Sequence, residues 1–312
     1  QTGSSPDGDG PFLSMSQAIA SAGLTAIRKT NKCNLQCRFC YNYGELDAIE
    51  PVGEGIWVIG GTKFYENDID LLLEIHKKPT GVAYVYLEPF MEIEKYYNII
   101  QKFNKAGIYQ HLYTNGTLAT ETTLKALGEA GLNELRFNLG ASGCADKVIE
   151  NIGIAKKYIK KVGIETPMTN EFFEKFFLKK QAVLDTGLDF INCAELHLNP
   201  NNIENYWGEK MYIARHGYIS PIWSRELTLR FMAAAAKEKW NLVVHDCSND
   251  TKFARDLNLG AKEGKWFGAS SYTSEFLEIP YAVFLPVLRD EEFNFLVEEE
   301  LPSGYNPGEM LF

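Results

Sequence analysis

The sequence predicts an α/β fold built on a parallel sheet, and three observations carry that reading. Short apolar runs of strand character alternate in series with longer runs of helical period, as six or more β–α units. Val82–Leu87 is a short, nearly continuous apolar run, which suits a buried parallel strand. No linker divides the series and no repeat punctuates it. Serial β–α units imply right-handed crossovers, so the sheet closes fully or stays open as a partial barrel.

Residues 1–12 are rich in Gly, Ser, Pro and Asp and predict a flexible lead-in, with a short helix over 14–22. Leu24 to Thr30 reads as the first strand and runs into a cysteine-bearing loop at 31–44. Residues 65–77 have helical spacing. Val82–Leu87 is the second strand, and Ile93, Tyr96, Tyr97, Ile100 and Phe103 mark the helix after it. Ile108–Tyr113 is the third strand, closed by the turn Thr114-Asn115-Gly116. Leu118–Ala130 is a helix stopped by Gly131. Glu134–Leu139 is a strand and 146–161 a helix. Ile164–Met168 and Phe190–Leu198 are strands on either side of a helix over 170–186. Trp223–Trp240 is the last long helix, and 241–245 reads as a further strand. The expected organisation is a lead-in over 1–22, a core over 23–245 and a covering extension over 246–312. The acidic run Glu298–Glu300 in that extension reads as a solvated surface.

Composition narrows the function. The chain has 312 residues, is 45% hydrophobic and 23% charged, and carries a net charge of −10. Its lysines and arginines are scattered, so the basic face that nucleic acid requires is not expected. No run approaches the roughly 18 apolar residues of a membrane span. No basic segment leads into an apolar block, so no secretory signal is expected and the reading is cytoplasmic. Three of the six cysteines fall within eight residues, a crowding that suits metal ligation better than disulfides.

That segment is Cys33-Asn34-Leu35-Gln36-Cys37-Arg38-Phe39-Cys40, spaced C-x3-C-x2-C. Three thiolates on one loop can each reach a different iron of a cubane, leaving the fourth iron open for chemistry. The competing reading is a structural zinc site completed by a fourth ligand. Zinc more often pairs its cysteines as two C-x2-C knuckles, and no second knuckle exists here.

The segment resembles the radical S-adenosylmethionine (SAM) superfamily, whose motif is C-x3-C-x2-C with an aromatic residue before the last cysteine, a place held here by Phe39. The resemblance extends along the serial β–α pattern to about residue 240. It implies a partial (β/α)6 TIM-like barrel, a [4Fe–4S] cluster on Cys33, Cys37 and Cys40, and SAM on the open iron. It also implies reductive cleavage of SAM to a 5′-deoxyadenosyl radical that takes a hydrogen atom from a small-molecule or peptide substrate. An electron donor such as flavodoxin or ferredoxin is then a partner. Having no second group of four cysteines, the chain is not expected to carry an auxiliary cluster.

The resemblance also places SAM. Family members commonly carry Gly-Gly-Glu-Pro after the second strand, against the SAM amino group. Here Glu88 and Pro89 remain and Tyr86 and Leu87 replace the glycines. Thr114 and Asn115 match a frequent Thr-Asn-Gly. Asn138 is expected at the ribose, and Ile164–Met168, including Glu165 and Met168, at the adenine. The bland alternatives are a helix cap for Glu88 and a turn cap for Asn138.

For the substrate, alternation along the sixth strand puts Cys193, Glu195 and His197 on one face, expected to be the lumen. Glu195 and His197 are candidates to hold a substrate or move a proton, and otherwise form a satisfied buried pair. Cys247 is a candidate for returning a hydrogen atom, although a lone cysteine is more often inert, and Cys144 draws the same remark. Arg215, beside His216 and Tyr218, is a candidate for an anionic group. Two further functions stay open: an activase that installs a glycyl radical on a partner enzyme, and a zinc-stabilised binding module without catalysis.

Overall fold

The computed structural model describes residues 24–29, 32–44, 52–59, 62–75, 81–213 and 219–248. The expected lead-in helix, the candidate Arg215 and most of the expected C-terminal extension lie outside the described residues. The strands are β1 (Leu24–Arg28), β2 (Ile56–Ile59), β3 (Thr62–Tyr65), β4 (Gly81–Tyr84), β5 (Tyr109–Thr114), β6 (Glu134–Phe137), β7 (Lys161–Pro167), β8 (Phe190–Ala194), β9 (Met211–Ile213), β10 (Ile219–Pro221) and β11 (Val243–Cys247). The α-helices are α1 (Ile69–Ile75), α2 (Tyr97–Lys105), α3 (Glu121–Ala130), α4 (Asp146–Ala155), α5 (Asn170–Asp185) and α6 (Ile222–Glu238).

One sheet runs in the order β11-β8-β7-β6-β5-β4-β1-β2-β3. From β1 round to β11 each neighbouring pair is parallel. The six expected strands are β1 and β4 to β8, and β11 adds a seventh. β2 and β3 form an antiparallel hairpin on the β1 edge. Among the described residues β3 and β11 do not pair, so the TIM-like barrel is partial.

Sequence patterning explains which face is which. Val82, Tyr84, Leu112, Leu135, Phe137, Val162, Ile164 and Ile191 are buried in one apolar core with Ile99, Ile100, Leu124, Leu127, Val148 and Ile152 of the helices. Phe172, Phe176 and Phe231 extend that core between α5 and α6, with Trp240 against it. The alternate residues point away from the helices and are largely polar: His111, Tyr113, Glu134, Arg136, Glu165 and Asn192. Gly163 belongs to this inner face, where a Cβ would come within 2.4 Å of the Phe190 ring.

Local signals set the helix ends. Thr120 and Thr123 form a reciprocal capping box at the start of α3, and Gly131 ends it at φ 98°. Thr169 caps α5 through the Phe172 amide.

Three of the departures from expectation bear on the site. The helix from Asp146 ends at Ala155, and the chain re-enters the sheet as β7 at Lys161. The second strand ends at Tyr84, and Tyr86 and Leu87 are left-handed at φ 86° and 53°. The sixth strand ends at Ala194 rather than Leu198, because both neighbours stop there: Pro167 and Cys247 are the last partners, each opposite Ala194. Beyond that point no ladder exists to impose alternation.

Candidate active site

The C-terminal ends of the parallel strands open onto a cavity of about 270 Å³, the place where open α/β sheets bind ligands. Cys33, Cys37, Phe39 and Cys40 line it from the cysteine loop. Glu88, Thr114, Asn115, Asn138, Glu165, Glu195 and His197 line it from the strand ends. The structure thus gathers most of the candidates from the sequence at one cavity.

The loop's own backbone supplies two turns, Cys40 N–H to Cys37 O (2.8 Å) and Tyr43 N–H to Cys40 O (3.1 Å). Glu88 N–H donates to Lys32 O at 3.0 Å and joins the end of β4 to it. Asn115 Nδ2 donates to Asn34 Oδ1 at 2.9 Å, and Asn34 Nδ2 to Thr117 Oγ1 at 2.8 Å. Asn115 is therefore part of the loop's mounting. Gly116, at φ 75°, has no room for a Cβ, which would meet Phe137 at 2.7 Å.

Glu88 is buried, and its carboxylate accepts from Thr114 Oγ1 (2.7 Å), the Asn115 amide (2.6 Å) and the Phe90 amide (3.0 Å). The last bond caps the 3-10 helix over Pro89–Tyr96. Burial pushes the Glu88 pKa up to about 7, against the pull of those three donors. Both the capping alternative and the cavity position hold for this residue.

Asn138 Oδ1 accepts from the Ala141 amide (3.1 Å) and Thr166 Oγ1 (2.8 Å). Its amide nitrogen takes no part in these bonds, and the residue lines the cavity. Met168 does not line the cavity. Its N–H donates to Ala194 O and its carbonyl accepts from Ser224 Oγ, both at 2.8 Å. Thr166 and Pro167 line the cavity at this level instead.

Below the cavity lies a polar lumen. Arg136 Nη1 donates to Glu165 (2.6 Å) and to Tyr113 Oη (2.9 Å), and Arg136 Nε donates to Glu134. Asn192 Nδ2 donates to Glu165 at 2.9 Å. Burial opposes the Arg136 charge, yet Tyr113, Glu165 and Glu134 outweigh it and hold the guanidinium firmly protonated. His111 is 1% exposed and neither ring nitrogen has a hydrogen-bond partner among the described residues. Burial first, and then Arg136, push its pKa down to about 3.

The face assignment for the sixth strand needs correcting. Asn192, not Cys193, points into the lumen. Cys193 is fully buried in the core against the helices, and burial holds its thiol well above the usual range. Glu195 and His197 still reach the cavity because the chain leaves the sheet after Ala194. Cys247 pairs in register with Ala194, which puts it on the lumen side of the sheet, but it does not line the cavity.

Sequence reasoning missed the run Asn199, Asn201, Asn202 and Asn205. Asn199 Nδ2 (2.9 Å) and Asn201 Nδ2 (2.8 Å) donate to Tyr41 O, Asn202 Nδ2 to Phe39 O (3.1 Å), and Asn205 Nδ2 to Arg38 O (2.9 Å). Arg38 Nη2 returns a bond to Asn205 O at 2.8 Å. Four asparagines in seven residues after a strand were the available signal, since carboxamides readily bond backbone carbonyls.

The donor set suits an iron–sulfur cube better than one ion. Among the described residues no three His, Cys, Asp or Glu side chains are arranged to hold a single metal ion. A mononuclear site needs its sulfurs converging at about 2.3 Å from one point; in a cube each cysteine serves its own iron. Burial, then Cys40 and Cys33, push the Cys37 pKa up to about 12, and burial also raises Cys33 and Cys40. Three thiols so placed become thiolates only beside a cationic group.

Comparison with known proteins agrees. The profile of the Radical SAM superfamily matches residues 27–175. The MJ0804 protein of Methanocaldococcus jannaschii is 28% identical over 145 residues, covering 43% of this chain and 44% of that protein. A tungsten-containing aldehyde ferredoxin oxidoreductase cofactor-modifying protein of Pyrococcus furiosus is 24% identical over 202 residues, 56% of this chain and 52% of that protein. The chain thus spans about half the length of these curated relatives. SuiB of Streptococcus suis has the same fold. Bound to SAM, it superposes with a TM-score of 0.52 at 15% identity, over 72% of this chain and 49% of SuiB. Bound to the precursor peptide SuiA, it gives 0.51 at 17%, over 83% and 54%. With its three-cysteine loop at the mouth of a partial barrel, this chain is similar over residues 27–175 to the radical SAM superfamily, a family whose cofactors are a [4Fe–4S] cluster and SAM.

Proposed function

We propose that the chain is a radical SAM enzyme that takes a hydrogen atom from a small-molecule or peptide substrate. One observation carries the reading. A single cavity runs from Cys33, Cys37 and Cys40 to Glu195 and His197, so the cluster loop and two candidate substrate groups share one space. When bound, the cluster and SAM supply a one-electron reduction that yields a 5′-deoxyadenosyl radical.

The chain's residues would bind, orient and exclude water. Cys33, Cys37 and Cys40 would hold the cluster, with Phe39 packed beside it. The remaining lone pair of Glu88, Thr114 with Asn115, and the Asn138 amide nitrogen would meet SAM. Glu165, tied to Arg136 and Asn192, forms a fixed part of the cavity floor. Glu195 and His197 would seat the substrate or move its proton. The peptide bound to SuiB makes peptides a substrate class to test alongside small molecules. An electron donor such as flavodoxin or ferredoxin completes the scheme.

The test is anaerobic reconstitution with iron and sulfide, followed by dithionite and SAM. Release of 5′-deoxyadenosine and methionine is expected, and its loss in Cys33→Ala, Cys37→Ala and Cys40→Ala. Full release by all three variants would overturn the reading. A colourless protein holding zinc would support the binding module, and a glycyl radical appearing on a partner protein would support the activase.

A further inference from the structure

The segment from Glu195 to Asn205 leaves the end of β8, lines the cavity at Glu195, Leu196 and His197, and then bonds along the cysteine loop. Five hydrogen bonds join its asparagines to residues 38–41, more than the two turns that the loop makes for itself at Cys40 and Tyr43. Asn202 is the central member. It is fully buried, and its Nδ2 donates both to Phe39 O (3.1 Å) and to His197 O (3.2 Å). Its Oδ1 accepts from the Asn199 amide at 2.8 Å, which fixes the orientation of the carboxamide. The His197 ring meets the Tyr41 ring edge-on, centroids 6.3 Å apart.

We propose that Asn202 is a positioning residue that couples the substrate seat to the cluster loop. One carboxamide nitrogen holds the backbone of Phe39, in the loop, and the backbone of His197, on the substrate side, at a fixed separation. That separation sets the contact between the His197 and Tyr41 rings. A ligand that shifts His197 therefore shifts the loop, and a change in the loop is felt at His197. The coupling rests on the function proposed above only for its purpose; the linkage itself is a property of the chain.

The test is a double-mutant cycle in the full chain without cluster, under reducing conditions, read by hydrogen exchange of the peptide spanning residues 36–44. Asn202→Ala is expected to speed exchange of the Cys40 and Tyr43 amides about tenfold, the scale set by one lost buried hydrogen bond. His197→Ala should speed it by a smaller factor in the wild-type background and have no further effect in the Asn202→Ala background, because the ring contact then no longer reports on the loop. Multiplicative effects, or no change at 36–44 in Asn202→Ala, overturn the proposal. If Asn202→Ala does not fold, Asn202→Asp replaces it: it keeps the size and the acceptor, removes the donor, and is expected to show the same loss of coupling. The wild-type chain, reconstituted in parallel with iron and sulfide, separates the two ideas. Failure to form a cluster there counts against the enzyme reading alone, while the cycle decides the linkage.

Discussion

Leu87 and His111 each bear a local cost that the surrounding structure imposes. Tyr86 and Leu87 are consecutive non-glycine residues at positive φ, in a region that costs an L-residue about 1–2 kcal/mol. The family's glycines at these places would lower that cost, although glycine returns about 0.5–1 kcal/mol as backbone entropy. Leu87→Gly is therefore expected to leave stability unchanged or raise it by up to about 1 kcal/mol, measured as a urea midpoint. A fall of more than about 1 kcal/mol would mean that side-chain packing, not backbone conformation, governs the site. His111 is held neutral, its pKa pushed down to about 3 from 6.5. Between those values the unfolded chain binds a proton that the folded chain refuses, so stability falls as pH falls below about 6.5, with a slope of up to about 1.4 kcal/mol per pH unit. His111→Phe should flatten the slope of chemical-denaturation stability between pH 6.5 and about 4 relative to wild type. Equal slopes in the two proteins would show that the imidazole is protonated when folded.

At the level of elements, the strands were the legible part of the sequence. β4 announces itself as a continuous apolar run, and β5 to β8 as short runs in which Leu112, Leu135, Phe137, Ile164 and Ile191 supply the core between polar lumen residues. Their ends were less legible, because a strand stops where its neighbours stop, and Ala194 is the last residue of β8 for that reason. That boundary decides the fate of Glu195 and His197, which reach the cavity although Cys193, inside the strand, faces the core. The hairpin β2–β3 went unread although Ile56–Ile59 and Thr62–Tyr65 flank a Gly-Gly pair, a common hairpin signal. Two predictions belong here. Gly163→Ala forces a Cβ to within 2.4 Å of the Phe190 ring across the β7–β8 ladder and should cost about 1–3 kcal/mol by overpacking, again read by urea; an unchanged midpoint would mean the ring moves freely. Glu195→Gln and His197→Ala should lower product formation roughly 5- to 150-fold, about 1–3 kcal/mol, while sparing iron content and most uncoupled SAM cleavage. Loss of iron in both would mark them as structural.

For the whole molecule, the cysteine motif made the site legible and the topology gave it a place at the strand ends. What the sequence concealed was mutual support among distant segments: Glu88 gripping the end of β5, Arg136 gathering Glu134, Glu165 and Tyr113, and the asparagines folding back on the cysteine loop. Only the asparagine run has a local signature; the partners gathered by Glu88 and Arg136 are each ordinary in their own stretch of chain. All three depend on side chains brought together only by the fold of the sheet and its connections.

The asparagine contacts also set an order of events in time. The loop that carries Cys33, Cys37 and Cys40 is gripped by residues 158 to 167 positions later in the chain. Contacts of such long sequence separation form late, after the intervening loop-closure entropy has been overcome. During synthesis the motif therefore emerges first and waits with its thiols accessible until the segment through Asn205 has been made and β8 has joined the sheet. Loading of iron and sulfide into a finished site becomes a late step in maturation, and a nascent chain halted before residue 199 presents three cysteines on a loop that lacks its main restraints.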